Sequence, residues 1–394
     1  MPVIKEISAG VVSIPLKKPF KTALRVADAV SSVLVRIETS DGAIGLGEAP
    51  PTAVITGDTI ESITAAVLNH IAPAIKGRRI DDFEDLLESV QRAAVNNTSA
   101  KAAVDMALHD LRAKTLNLPL YRLLGGSAAG LESDVTISLN ETRRMVEDSV
   151  AAVRDGFRIL KVKVGGAGLP DAESVKEIRR AVGAGIELRV DANQGWTPKE
   201  SVRIIGAMED GGCAVSLVEQ PVKARDIDGL RYVTQRTLTP ILADEAVFSA
   251  RDAIEIVRTG AADMINIKLM KTGGIREALK ICDIAAVYGV PCMMGCMLES
   301  RLAVSAAAHL AASRSVITMA DLDGPMLCAS DPYTGGPKFD GARITLTDEP
   351  GIGVALPDKP GIGVALPDKP GIGIALPDKP GIGVTMPDGF TAEL

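Results

Sequence analysis

No stretch of the chain approaches the roughly 18 consecutive apolar residues needed to span a bilayer, and a membrane-embedded role is not expected. The first residues, MPVIKEISAG, lack a basic segment followed by an apolar run and a small-residue cleavage site, so the expected location is the cytoplasm. Basic charge is not in excess either. The formal net charge is -7, with acidic and basic residues intermingled, and nothing offers the basic stripe that a phosphate backbone requires. Nucleic acid is therefore excluded as a partner. Five cysteines spread over 394 residues are too few, and odd in number, for a disulfide framework. Cys292 and Cys296 are four apart, but no second Cys or His pair lies nearby. The run VPCMMGCML reads as a buried strand in which cysteine is a small hydrophobe.

What the chain does have is apolar residues, at 46% against 24% charged, enough for a large core and more than one domain. Residues 1–128 open with the alternating segments IKEISAGVVSIPL and SSVLVRIETSDGAIGLGEA, separated by a polar loop around KPFKTALRVADA, which predicts an antiparallel sheet. Helical patterns follow. In SAKAAVDMALHDLRAKTL, Val104, Ala107, Leu108 and Leu111 recur at helical spacing behind a cap at Ser99. From about residue 134 the texture changes to short β-branched runs alternating with amphipathic stretches: DVTISL, RILKVKVG, IELRVDAN, VSLVEQP, PILADEA, MINIKLM, VPCMMGC and VITMADLD. Eight such runs separated by helical patterns predict an α/β chain with a parallel βα barrel.

A third texture begins at Asp348, where a ten-residue unit such as DKPGIGVALP repeats four times up to Pro387. Each copy carries a Pro-Gly turn signal and a short apolar run. A decamer is too short for the common solenoids, and the first reading is expansion of an ordinary terminal strand; the alternative is an assembly arm. Its Gly-x-Gly pairs lack the strand, turn and long helix of a nucleotide site. The expected division is thus an α+β domain over 1–128 with a return segment at about 325–347, a barrel over 129–324 and a repeat tail over 348–387.

Charge interrupts the barrel strands at one end. Lys161 and Lys163 end the second strand, Asp191 the third, Glu219 the fourth, Asp244 the fifth, Lys268 the sixth, and Asp321 with Asp323 the eighth. That is the C-terminal face, where such barrels place their chemistry. Any one of these alone is a solvated strand-end residue. Together, positions 163, 191, 219, 244 and 268 fall about one βα unit apart, so successive staves supply lysine, three carboxylates and lysine. Three converging carboxylates repel unless a cation sits among them, and an all-oxygen site suits a hard ion such as Mg²⁺. Asp191, Glu219 and Asp244 are the expected ligands. A carboxylate bound there presents its alpha carbon between Lys163 and Lys268, the arrangement for removing a proton from one face and returning one to the other. Lys161 is placed to hydrogen-bond the same carboxylate.

These segments, Lys161-Val-Lys163, Asp191-Ala-Asn193-Gln-Gly, Glu219-Gln-Pro221, Asp244-Glu245 and Asn266-Ile-Lys268-x-x-Lys271-x-Gly-Gly, resemble the enolase superfamily, in the muconate-lactonizing branch with lysines on the second and sixth strands. The helix ending in Pro119-Leu-Tyr-Arg-Leu-Leu-Gly-Gly126 is similar to that family's capping-domain helix. The resemblance covers residues 1 to about 345. It implies a capping domain over a modified (β/α)7β TIM-like barrel, Mg²⁺ as cofactor and an isomerase activity. A histidine second base belongs to the mandelate racemase branch. His309, in the helical run VSAAAHLAAS, reads instead as a core or helix-surface residue.

Three features bear on substrate. Asp321-Leu-Asp323 resembles the Asp-x-Asp signature of dipeptide epimerases, where the pair holds the N-terminal amine. The runs Lys18-Pro-Phe-Lys-Thr-Ala-Leu-Arg25 and Pro51-Thr-Ala-Val-Ile-Thr-Gly-Asp58 resemble the capping loops of Ala-D/L-Glu epimerases, with Arg25 pairing to a side-chain carboxylate. Thr136 on the first barrel strand is a hydrogen-bonding candidate, and Met297 and Leu298 after the seventh are further substrate contacts. The resemblance implies epimerisation of the C-terminal residue of dipeptides, L-Ala-D/L-Glu first among them, in murein peptide metabolism, by a homo-oligomer. Muconate cycloisomerase or o-succinylbenzoate synthase chemistry on the same scaffold is the alternative, although those substrates carry no ammonium for Asp321 and Asp323. A noncatalytic assembly protein using the tail is a third reading, and it leaves the lysine and carboxylate set unexplained.

Overall fold

The computed structural model describes residues 2–127 and 130–356, and the backbone of Val364 and Ala365. The rest of the repeat region, from residue 357 on, otherwise lies outside the described residues. Strands β1 (Ile4–Lys21), β2 (Val26–Thr39) and β3 (Ile44–Ala49) form an antiparallel sheet in that order. The polar loop expected between the first two is only the turn Thr22–Arg25, closed by Thr22 N–H donating to the Arg25 carbonyl at 3.0 Å. The strands run on through KPFK and VADA: after an irregularity between Pro15 and Phe20 the ladder resumes with Phe20 opposite Ala27 and Lys21 opposite Val26.

The sheet packs on the helix Thr98–Thr115, which is buried almost throughout. Gly45 and Gly47 allow that contact: a Cβ on either would lie within about 2 Å of the Ala107 or Ala103 carbonyl oxygen. The expected cap at Ser99 is not one. Asn97, at φ 49°, precedes the helix, and Ser99 lies in its first turn with its N–H donating to Asp58 Oδ2 at 3.0 Å. The helix ends at Thr115, and Pro119 instead opens a separate short turn of helix, Leu120–Leu123.

The barrel follows β4 (Gly130–Glu132). Its strands are β5 (Val135–Ile137), β6 (Ile159–Lys163), β7 (Glu187–Asp191), β8 (Val215–Glu219), β9 (Ile241–Ala243), β10 (Met264–Ile267), β11 (Cys292–Gly295) and β12 (Ile317–Asp321), paired in parallel in chain order. All eight coincide with the runs read from the sequence. Long helices follow the first seven strands, whereas β12 leads only into the short helix Gly324–Leu327, giving the (β/α)7β arrangement. After β13 (Thr334–Gly335), the antiparallel hairpin β14 (Lys338–Asp340) and β15 (Arg343–Thr345) returns, with β15 pairing back to β4. The first decamer copy gives β16 (Val354–Ala355), paired with β13, and the second gives β17 (Val364–Ala365), paired with the outer edge of β1.

No helix among the described residues is long and apolar enough to cross a membrane. All five cysteines are buried and unpaired.

Candidate active site

Parallel register sets the polar residues at one level. Lys163 pairs with Asp191, and Asp191 with Glu219, so the last residues of β6, β7 and β8 share a rim. Asp244 and Lys268 follow β9 and β10 by one residue, and Asp321 ends β12 opposite Gly295. β6 and β10 are four places apart in an eight-stranded ring, so Lys163 and Lys268 face each other across it.

Every one of these side chains is buried. The Lys161 Nζ lies 2.5 Å from Asp321 Oδ2, 2.7 Å from Glu219 Oε2 and 3.2 Å from Asp191 Oδ2. The Lys163 Nζ donates to Asp191 Oδ2 at 2.6 Å, and the Lys268 Nζ to Asp244 Oδ2 at 2.7 Å. Lys271, wholly buried, lies 2.7 Å from Asp244 Oδ1 and donates to the Asn266 carbonyl at 2.8 Å. Asn266 Nδ2 in turn donates to Glu219 Oε1 at 2.8 Å.

The charges pull one another's titration apart. Burial, with Asp191 next to it, raises Glu219 to about 7, and burial with Asp244 beside it raises Glu245 to about 8. Burial would raise Asp244 too, but Lys268 and Lys271 outweigh it and hold that carboxyl far below its usual range. Burial likewise opposes ionisation of Lys268, and Asp244 overcomes it, keeping the amine protonated to higher pH than usual. For Asp321 the Lys161 ammonium outweighs burial and holds the carboxyl low, whereas burial and the Asp321 charge raise Asp323 to about 6.

Among the described residues, no three His, Cys, Asp or Glu side chains stand close enough together to hold an ion as placed. The ammonium of Lys161 stands among Asp191, Glu219 and Asp321 instead. The donor set nevertheless fits a hard cation. Glu219 Oε2, Asp244 Oδ1, Asn193 Oδ1, Glu245 Oε2 and Asn266 Oδ1 are all buried oxygens without a hydrogen bond, the first two having only ion-pair contacts. Such orphaned acceptors, with carboxyls pushed up by their neighbours' charge, are what Mg²⁺ at oxygen ligands would relieve.

Above this layer is a cavity of about 40 Å³, lined by Lys163, Lys268, Thr136, Met297, Leu298, Asp321, Asp323 and Arg25 together with Phe20, Thr22, Leu24, Ile55, Asn193, Cys296 and Leu327. The cap thus reaches the barrel mouth through the Thr22–Arg25 turn. Among the described residues the Arg25 guanidinium has no ion pair or hydrogen bond, and burial lowers its pKa. Asp323 Oδ2 accepts the Thr136 N–H at 2.7 Å.

Sequence reasoning did not assign roles to Lys271, Asn266, Glu245, Asn193 or Cys296. The first four stand inside motifs quoted for the resemblance, which was the available signal. Cys296 was read as strand interior but lies just past β11, on the cavity wall. Of the two readings of His309, core or helix surface, the buried one holds: its Nδ1 accepts the Tyr121 N–H at 3.1 Å, and burial lowers its pKa to about 4.

Comparison with known proteins places this geometry in context. Residues 6–125 match the family model described as the mandelate racemase / muconate lactonizing enzyme N-terminal domain, and residues 144–360 match that of the enolase C-terminal domain-like family. An L-Ala-D/L-Glu epimerase of Clostridium acetobutylicum is 51% identical over 352 residues, 89% of this chain and 98% of that protein. A substrate-liganded L-Ala-D/L-Glu epimerase of Bacillus subtilis superposes with a TM-score of 0.88 at 46% identity, over 92% of this chain and 100% of that one. A dipeptide epimerase of Enterococcus faecalis V583, complexed with Mg and L-Leu-L-Tyr, does so with a TM-score of 0.86 at 42% identity, over 90% and 99%. A barrel rim of opposed lysines around carboxylates, roofed by an antiparallel cap, and two matched domain models spanning most of its length make this chain a member of the enolase superfamily.

Proposed function

We propose that the chain is a Mg²⁺-dependent dipeptide epimerase, acting on the C-terminal residue of L-Ala-D/L-Glu by 1,1-proton transfer. One observation carries the reading: Lys163 and Lys268 line one cavity from opposite sides of the ring. Asp191, Glu219 and Asp244 are the residues that would hold the metal, which when bound supplies positive charge to the substrate carboxylate as that group gains negative charge.

The chain's own residues do the rest. One lysine, as a neutral amine, takes the alpha proton; the C–H electron pair moves into the carboxylate, giving an enolate; the opposed lysine, as an ammonium, protonates the other face. In the reverse direction the roles exchange, and solvent restores each lysine. A turnover of about 10 per second corresponds to a barrier of roughly 16 kcal/mol. If the alpha proton is on the order of 15 pK units less acidic than an ammonium, the transfer alone is uphill by about 20 kcal/mol, so lysine needs that charge stabilisation. Lys161 adds a donor at the carboxylate, and the unpaired Arg25 supplies a partner for an acidic side chain. Asp321 and Asp323 would receive the substrate ammonium. Asp323, whose pKa is raised to about 6, gains most from a cation.

The five buried thiols, all free, are consistent with the reducing cytoplasm, and the resemblance implies murein peptides as the substrate source and a homo-oligomer as the working state. The test is a dipeptide panel incubated in D₂O with Mg²⁺. Deuterium should appear at the alpha carbon of the C-terminal residue, with Ala-Glu fastest. Absence of exchange in every dipeptide would reject the enzyme reading, and a preference for Lys-containing dipeptides would reject the Ala-Glu one.

A further inference from the structure

The first copy of the decamer is a plug in the core. Ile352 and Val354 are buried. Asp110 Oδ1 accepts the Ile352 N–H at 2.8 Å, the Ile352 carbonyl lies 3.3 Å from His309 Nε2, and the Gly351 carbonyl accepts the Leu120 N–H at 2.8 Å. The Tyr121 hydroxyl donates to Asp348 Oδ1 at 2.9 Å. Gly351 has φ +79°, and a Cβ there would lie 2.2 Å from Asp110 Oδ1; Gly353 has φ +76°. The socket therefore accepts a sequence of the form Asp-x-Pro-Gly-Ile-Gly-Val.

That sequence recurs unchanged at Asp358–Val364, and with one aliphatic exchange (Ile374) or none in the third and fourth copies. Val-Ala forms a two-residue strand in both copies whose backbone is described, Val354–Ala355 and Val364–Ala365. The unit thus keeps its local preference outside the socket. One residue distinguishes the first copy: Glu349, whose Oε2 accepts the Gly336 N–H at 3.4 Å, is lysine in every later copy.

We propose that the later copies are interchangeable plugs, and that the second copy fills the socket in the same molecule when the first is lost, residues 348–357 looping out. Extending a loop by ten residues adds little closure entropy, so the exchange is accessible. Glu349 and the shorter connection keep the first copy in place in the native chain.

The test places Ile352→Asp in the full chain and in a chain ending at Pro357. The short variant, with a charge in the socket and no spare plug, should melt at least about 8 °C below its parent or fail to fold. The full-length variant should melt within about 3 °C of wild type, since Ile362 replaces the lost side chain. Adding Ile362→Asp, Ile372→Asp and Ile382→Asp to the full chain should bring the loss back. Full-length Ile352→Asp destabilised as much as the short variant would overturn the proposal. So would a rescue that appears only as protein concentration rises, because that would put a neighbouring chain's copy in the socket.

Discussion

Arg25 and Lys271 mark the two extremes of what a single residue discloses. Arg25 comes from a turn that in isolation is surface sequence, yet its guanidinium is half-buried, without a protein partner, at the wall of the cavity that Lys163 and Lys268 share. Truncating one partner of a desolvated charge pair costs about 2–5 kcal/mol, so Arg25→Ala should lower kcat/KM toward Ala-Glu by roughly 30-fold or more. Ala-Leu, with no side-chain carboxylate, should be spared. Equal losses on both dipeptides, measured side by side, would reduce Arg25 to a support for the turn. Lys271 was legible only as part of a motif. Its contacts are the carbonyls of Asp244 and Asn266 and the Asp244 carboxylate, which depend on how the end of β9 sits beside β10 and the short helix after it, and no spacing rule reveals that.

Among elements, the helix Thr98–Thr115 joins cap to barrel. Asp105 Oδ1 accepts the Ile275 N–H at 2.6 Å, at the start of the helix Ile275–Tyr288, and lies 3.1 Å from His109 Nδ1. Burial works against a charged imidazole there, but Asp105, with Glu84 beyond it, outweighs burial and raises the His109 pKa. A group raised on folding contributes stability that is complete below its unfolded pKa, about 6.5, and fades as pH rises through the folded value. The gap in melting temperature between wild type and His109→Gln should therefore be widest near pH 6 and narrow toward pH 9; a gap that widens with pH would contradict it. The barrel strands were legible because apolar runs of the right length ended in charge. The Thr98–Thr115 start was not, since Ser99 looks like a cap and its actual partner, Asp58, lies across the fold.

At the scale of the whole molecule, every cavity-lining residue precedes position 328, whereas the first decamer copy packs under the helices that carry His309 and Tyr121. A chain lacking residues 358–387 retains that copy and should turn over Ala-Glu within a few fold of the full chain. A large loss of rate at unchanged oligomeric state would tie the later copies to catalysis. The alternation of strand and helix made the barrel readable, while the plug was hidden because its socket is assembled from four distant segments. The central claim, that opposed lysines serve opposite faces of one alpha carbon, is tested most directly by following Lys163→Ala and Lys268→Ala separately with L-Ala-L-Glu and L-Ala-D-Glu in D₂O. Each variant should lose epimerisation, and any surviving deuterium exchange should be confined to one epimer, a different one for each lysine. Near-native epimerisation in both directions by either variant would contradict the account.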